Sequence, residues 1–156
     1  MQIKIGILKE TKTPPDRRVP VTPSLGRALL ETFPNLKLMV QGSDIRTFSD
    51  REYMNAGLQV VDDVRDCDIL LGVKEVHIPT LIPQKTYLFF SHTAKKQPYN
   101  RALLQEIIKK RITLVDYEYL TDAHHMRLVA FGRWAGIVGA YNGLRAWGRR
   151  SGTFDL

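Results

Sequence analysis

Hydrophobic and polar positions follow one another in blocks whose period changes along the chain. Ile3 to Leu8 is a short apolar run rich in β-branched residues, closed by the turn-formers Thr11 to Asp16, and it predicts a strand. Thr22 then offers an N-cap with Pro23 at the first helical position. Leu25, Ala28, Leu29 and Phe33 follow at helical spacing, and Pro34-Asn35 stops the helix. Leu36 to Val40 predicts a second strand. Asp50 caps a short helix toward Ala56, with Gly57 as a left-handed terminator, and Leu58 to Val61 is another short strand. The runs Ile69 to Val73, Tyr87 to Phe90 and Ile112 to Val115 do not alternate, which suits central parallel strands buried on both faces. Between the last two, Pro98 to Lys110 places Tyr99, Leu103 and Ile107 on one helical face. Strand, helix, strand at this spacing is a βαβ unit. The expected fold class is α/β, a mainly parallel sheet flanked by helices in a Rossmann-like or flavodoxin-like arrangement.

The C-terminal stretch has a different texture. From Ala130 to Trp147, Gly132, Gly136, Gly139 and Gly143 recur at helical spacing among apolar residues and both tryptophans. This predicts a helix whose glycine face admits another backbone closely, with Arg149 to Leu156 as an exposed end. The expected division is a domain over residues 1–132, then an interdomain helix and chain end over 133–156. Ala135-Gly136-Ile137-Val138-Gly139-Ala140 lacks the G-x-G-x-x-G pattern, follows no clear strand and is rejected as a dinucleotide turn.

Composition narrows the picture. A chain of 156 residues can bury roughly two-thirds of its unfolded surface. With 44% hydrophobic and 25% charged residues it reads as a globular domain that needs no disulfide or metal. No run approaches the ~20 apolar residues of a membrane span. The single cysteine, Cys67, excludes an internal disulfide and reads as a core thiol, and Met1 to Lys9 is too short for a signal peptide, so a cytoplasmic protein is expected. The net charge of +7 is spread, with clusters at Lys95-Lys96, Lys109-Lys110-Arg111 and Arg149-Arg150. The last two sit at helix ends, where the dipole favours cations. No aromatic residues interleave with them as a stacking platform requires, so no nucleic-acid partner is expected, whereas an anionic small molecule would suit. No metal site is expected either, since His124 and His125 are adjacent and diverge.

Ligands of open α/β sheets bind beyond the carboxyl ends of the strands. There this sequence places Lys74-Glu75, Ser91-His92-Thr93 and Asp116-Tyr117-Glu118, with Lys9-Glu10 and Arg17-Arg18 after the first strand. One edge thus collects Arg18, Lys74, Glu75, His92, Asp116 and Glu118. An arginine grips a carboxylate bidentately, and a histidine near lysine and carboxylates suits proton transfer near neutral pH. Taken singly, each of these residues also reads as an ordinary solvated loop charge.

Lys9-Glu10-Thr11-Lys12 and Arg18-Val19-Pro20-Val21-Thr22-Pro23 resemble the N-terminal signature shared by alanine dehydrogenases, the transhydrogenase α subunit and lysine-forming saccharopine dehydrogenases. Gly72-Val73-Lys74-Glu75 and Phe90-Ser91-His92-Thr93 are similar to the next two family blocks. Asp116-Tyr117-Glu118, with Arg127 to Gly132 and Ala135-Gly136, looks most like saccharopine dehydrogenase (lysine-ketoglutarate reductase). The resemblance runs to about Gly148. It implies Lys74 and His92 as an acid/base pair, Arg18 as a ligand for a substrate carboxylate, and Glu75 and Glu118 as their electrostatic partners. The implied chemistry is NAD- or NADP-dependent oxidation at a C–N bond of an amino acid through an imine, hydrolysed to an amine and an oxo acid. It further implies that the nicotinamide domain follows this one in a longer protein, so that this chain alone neither holds the cofactor nor turns over. A homo-oligomer is compatible with the sequence, and a membrane partner is not expected. The contrasting reading is a stand-alone amino- or oxo-acid-binding module without chemistry.

Overall fold

The computed structural model describes residues 2–156. Six strands, β1 (Ile3–Ile7), β2 (Leu36–Gln41), β3 (Gln59–Val61), β4 (Ile69–Leu71), β5 (Thr86–Phe89) and β6 (Thr113–Asp116), form one sheet in the order β3-β2-β1-β4-β5-β6. Every pairing is parallel, the α/β class expected from the apolar runs. The chain order reverses between β1 and β4. In open sheets of this kind the crevice for ligands lies at that switch, outside the carboxyl ends.

Local signals explain most elements. Helix α1 (Pro23–Thr32) starts where the Thr22 hydroxyl accepts the Leu25 N–H at 3.2 Å, with Pro23 at the first turn. Helix α2 (Asp50–Asn55) begins one residue earlier in capping terms than expected. Ser49, not Asp50, is the N-cap, and its hydroxyl and backbone exchange hydrogen bonds with Glu52 in a capping box. Gly57 then turns the chain at φ +85°. Helix α3 (Arg101–Lys109) is preceded by a separate 3-10 turn, Pro98–Asn100, rather than starting at Pro98. Leu103 and Ile107 are buried as expected, while Tyr99, on that turn, points away and is 69% exposed.

The two faces of the sheet are covered differently. Ile7, Leu38 and Val40 pack with Val21, Tyr53, Ala56 and Leu58 on the side of α1 and α2. The buried face of α1 is turned from the one its apolar spacing suggests: Leu29 packs on this cluster as expected, together with Leu30. Leu25 and Phe33 are exposed, and Gly26 is buried. A Cβ at Gly26 would lie 2.6 Å from a Leu58 methyl, so the missing side chain brings the helix down onto the loop before β3. On the opposite face Leu70, Tyr87 and Phe89 pack with Leu103, Ile107 and Ile112. The crossover from β3 to β4 contains no helix. Val64 and Cys67 of that segment press directly onto β1 at Gly6, whose added Cβ would stand 2.8 Å from Leu70, 2.9 Å from Cys67 and 3.1 Å from Val64. Burial pushes the Cys67 thiol up from its ordinary pKa, so it serves as an inert core group.

By contacts the chain separates into residues 1–120, which hold the sheet, and residues 121–156. In the second unit, Thr121 and Arg127 form an isolated antiparallel bridge, and the Asp122 carboxylate accepts the His124 and Met126 N–H groups at 2.8 and 2.9 Å. Helix α4 (Gly132–Ser151) follows and ends on Gly152 at φ +71°. The last residues fold back on their own helix rather than trailing away. Phe154 meets the Trp147 ring at 5.6 Å, and Asp155 accepts from Arg145 at 3.1 Å and Arg149 at 2.9 Å. Nothing lies within 4 Å of a Cβ placed at Gly132, Gly136, Gly139 or Gly143. No described helix is long and apolar enough to cross a membrane.

Candidate functional site

Four strand ends converge on the site. Leaving β1, the chain places Glu10 so that its carboxylate accepts the Val73 N–H at 2.7 Å and the Lys74 N–H at 3.0 Å. One side chain thereby ties the end of β1 to the loop after β4, across the switch point. Burial raises the Glu10 carboxyl above its usual range, against the pull of those two N–H groups.

The same N-terminal loop supplies Asp16 and Arg18. The guanidinium donates to Asp16 through Nε at 2.9 Å and Nη2 at 2.5 Å. That hydrogen-bonded pairing holds the Asp16 carboxyl low, and the Lys74 ammonium adds a smaller pull in the same direction. Arg18, Asp16, Lys74 and Glu10 are therefore electrostatic neighbours. The fork of Arg18 is engaged by Asp16, so a carboxylate ligand would share or displace that pair.

A second group lies beside them. His92, following β5, places Nδ1 2.7 Å from Glu75 Oε1, and the other Glu75 oxygen accepts from Lys12 Nζ at 2.8 Å. Burial works to raise the Glu75 carboxyl, but hydrogen bonds from Lys12 and His92 outweigh it, and the carboxyl lies below its ordinary value. The His92 backbone is left-handed, φ 53° and ψ 16°, a region that residues with side chains seldom occupy. Its ring stacks on Phe90, with centroids 6.4 Å apart, and Phe90 meets Tyr117 edge-on at 5.2 Å. Burial, assisted by nearby Glu10, pushes the Tyr117 phenol up to about 12.

Beyond β6, the Glu118 carboxylate pairs with Lys95 at 3.5 Å, while its backbone N–H donates to Asp116 Oδ1 at 2.9 Å. The other Asp116 oxygen accepts the Ser91 hydroxyl. Of the residues expected from sequence, Glu75 and His92 are in direct contact, Arg18 and Lys74 share the neighbour Asp16, and the Glu118 carboxylate faces Lys95. Sequence reasoning missed Glu10 as a backbone clamp, Lys12 as the partner of Glu75, and Ser91. Glu10 and Ser91 carried a positional signal, each standing just beyond a strand end, but nothing in the sequence announced their partners.

A cavity of about 350 Å³ borders the second group, lined by Lys12, Glu75, His77, Tyr99 and Asn100. A larger cleft of about 510 Å³ lies on the side of β1 and β2, with Lys9, Gln41, Asp62 and Arg65 in its wall, and contains none of the candidate acid/base residues. The former borders the candidate Glu75 and its partner Lys12, whereas the charged contact in the wall of the latter is the exposed Arg65–Asp63 pair at 3.3 Å. Among the described residues, no group of three or more His, Cys, Asp or Glu side chains is arranged to hold a metal ion. A dinucleotide does not fit the residues present. The turn after β1 contains no glycine, and the glycine-rich segment lies inside α4, without the strand, turn and helix that cradle a pyrophosphate.

Comparison with known proteins yields consistent matches. Residues 6–138 match the family model for the alanine dehydrogenase/PNT N-terminal domain. Alpha-aminoadipic semialdehyde synthase of Arabidopsis thaliana is 39% identical over 150 residues, which cover 94% of this chain and 14% of that protein. The mitochondrial enzyme of the same name from Bos taurus is 42% identical over 135 residues, covering 86% of this chain and 14% of the relative. Saccharopine dehydrogenase [NAD(+), L-lysine-forming] of Yarrowia lipolytica is 29% identical over 150 residues, 93% of this chain and 40% of its own. In fold, the chain is similar to an L-alanine dehydrogenase with a TM-score of 0.67 at 23% identity, over 80% of this chain and 35% of that one. It is likewise similar to a transhydrogenase from Sinorhizobium meliloti, with a TM-score of 0.63 at 17% identity, over 77% of this chain and 36% of that one. The chain thus spans only a small part of the length of the relatives it matches.

Proposed function

The chain belongs to the alanine dehydrogenase/PNT N-terminal domain family, and from that premise we propose that it is the substrate-binding domain of an amino-acid dehydrogenase of the saccharopine or alanine type. The observation that carries the reading is the cluster at the strand ends, where His92 and Glu75 meet at 2.7 Å beside the Arg18, Asp16 and Lys74 group. In this reading Arg18 binds a carboxylate of an amino or oxo acid, and Lys74 and His92 exchange protons with the imine and water. Glu75 balances their charge, and Glu118 does so from the β6 side. A nicotinamide cofactor would supply the hydride acceptor in the complete protein, and a separate domain would hold it, since the turn after β1 carries no glycine to cradle a pyrophosphate. This chain alone is then a binding unit without turnover.

Two measurements test the proposal. A dicarboxylic 2-oxo acid titrated into the chain by calorimetry should bind, and Arg18→Ala should weaken it about ten-fold or more, the worth of a charge-assisted fork. Equal affinity in both chains, or none in either, removes the substrate role. In a protein that joins this domain to its nicotinamide domain, Lys74→Met or His92→Gln should each lower kcat by about a hundred-fold or more, as for a lost general acid or base. Near-parental rates in both would remove the acid/base assignment.

A further inference from the structure

We infer that Ser91 and Asp116, a buried pair between the ends of β5 and β6, are positioning residues that aim His92 at Glu75. The inference rests on the acid/base role proposed for His92. It starts from the sheet register, in which Asp116 pairs with Phe89 on the last rung of β5 and β6. The next residues of the β5 chain pass directly over that carboxylate. Ser91 is 0% exposed and Asp116 7% exposed, so neither gains anything from solvent.

Their hydrogen bonds are complete and all local to the turn. Ser91 Oγ donates to Asp116 Oδ2, lies 2.8 Å from Thr93 Oγ1, and accepts the Thr93 N–H at 3.1 Å. Asp116 Oδ1 takes the Glu118 N–H at 2.9 Å. On the far side of the turn, the His92 carbonyl accepts from Asn100 Nδ2 at 3.2 Å, and Asn100 is itself buried. His92 is thus flanked on both sides by buried, hydrogen-bonded polar groups.

The need for this is visible in the backbone. His92 sits at φ 53°, where a side chain crowds its own peptide, and such a conformation persists only when neighbours over-determine it. A strand continuing past Phe89 in extended geometry would carry residue 92 onward along the strand. The left-handed turn instead presents Nδ1 to the Glu75 oxygen at 2.7 Å, with Phe90 under the ring. Asp116 reaches both proposed electrostatic regions, through Ser91 to the His92 turn and through the Glu118 N–H to the β6 side. The pair acts on the imidazole without touching it, and neither residue meets substrate in this account.

The test follows the His92 ring in the 156-residue chain labelled with 15N-histidine, its signals assigned by loss in His92→Gln. Glu75→Gln defines the Nδ1 shift of a ring without its carboxylate. Ser91→Ala should move the His92 Nδ1 signal by more than half of that displacement, and Asp116→Asn should move it in the same direction. Should Asp116→Asn not fold by circular dichroism, Ser91→Ala decides alone. An Nδ1 signal unmoved in the folded variants, even with a lowered melting temperature, would reduce the pair to a structural staple and overturn the inference. Absence of oxo-acid binding would sink the proposed function and leave this readout standing.

Discussion

Glu75 holds the His92 imidazole through one oxygen and the Lys12 ammonium through the other, and this governs how the site answers acid. Its folded-state carboxyl lies below its ordinary value, so the unfolded chain binds the proton more readily. The stabilisation is therefore full above the ordinary value and is lost as pH falls through the lowered one. Parent and Glu75→Gln chains unfolded in urea from about pH 6 to about pH 3 should differ by up to about 1 kcal/mol at the upper end, and the difference should shrink steadily toward the lower. A difference that does not change with pH would remove Glu75 from this role. The places of Lys74, Glu75 and His92 just beyond strands were legible in the sequence because they follow short apolar runs. Lys12 and Asp16 were not legible. Their partners depend on the path of residues 9–18, and no periodicity describes a loop.

Among the elements, the helix-free crossover from β3 to β4 is the least ordinary, and Gly6 permits it. Val64 and Cys67 occupy the volume that a β1 side chain would otherwise take. Gly6→Ala should cost about 1–3 kcal/mol through overpacking of the central strand, read as a lower urea midpoint with an unchanged slope. An unchanged midpoint would show that the segment yields freely. Sequence periodicity found all six strands and the four helices. It misjudged the buried side of α1 and the start of α3, and for related reasons. Gly26 contributes no hydrophobicity yet marks the contact face, because its value lies in the space it leaves for Leu58. Pro98 does open a turn, but a 3-10 turn, and the change of pitch swings Tyr99 out of line with Leu103.

At the scale of the molecule, the parallel character of the sheet followed from runs buried on both faces, but the order β3-β2-β1-β4-β5-β6 did not. That order is set by which face each crossover takes, and the crossover after β3 carried no helix to announce it. Both hydrophobic clusters draw only on residues before Leu120. A chain ending at Leu120 should therefore keep the melting transition of the parent sheet, followed by far-UV circular dichroism, within a few degrees. Loss of cooperative melting in that chain would show that residues 121–156 contribute to the fold of the sheet.

Both tryptophans of the chain, Trp134 and Trp147, lie on α4, 64% and 60% exposed. The intrinsic tryptophan fluorescence of this protein is therefore a gauge of its C-terminal unit. Emission from these indoles starts near its water-exposed limit, so denaturant has little further red shift to produce. A nearly flat emission trace during unfolding is therefore the expected record from these two indoles.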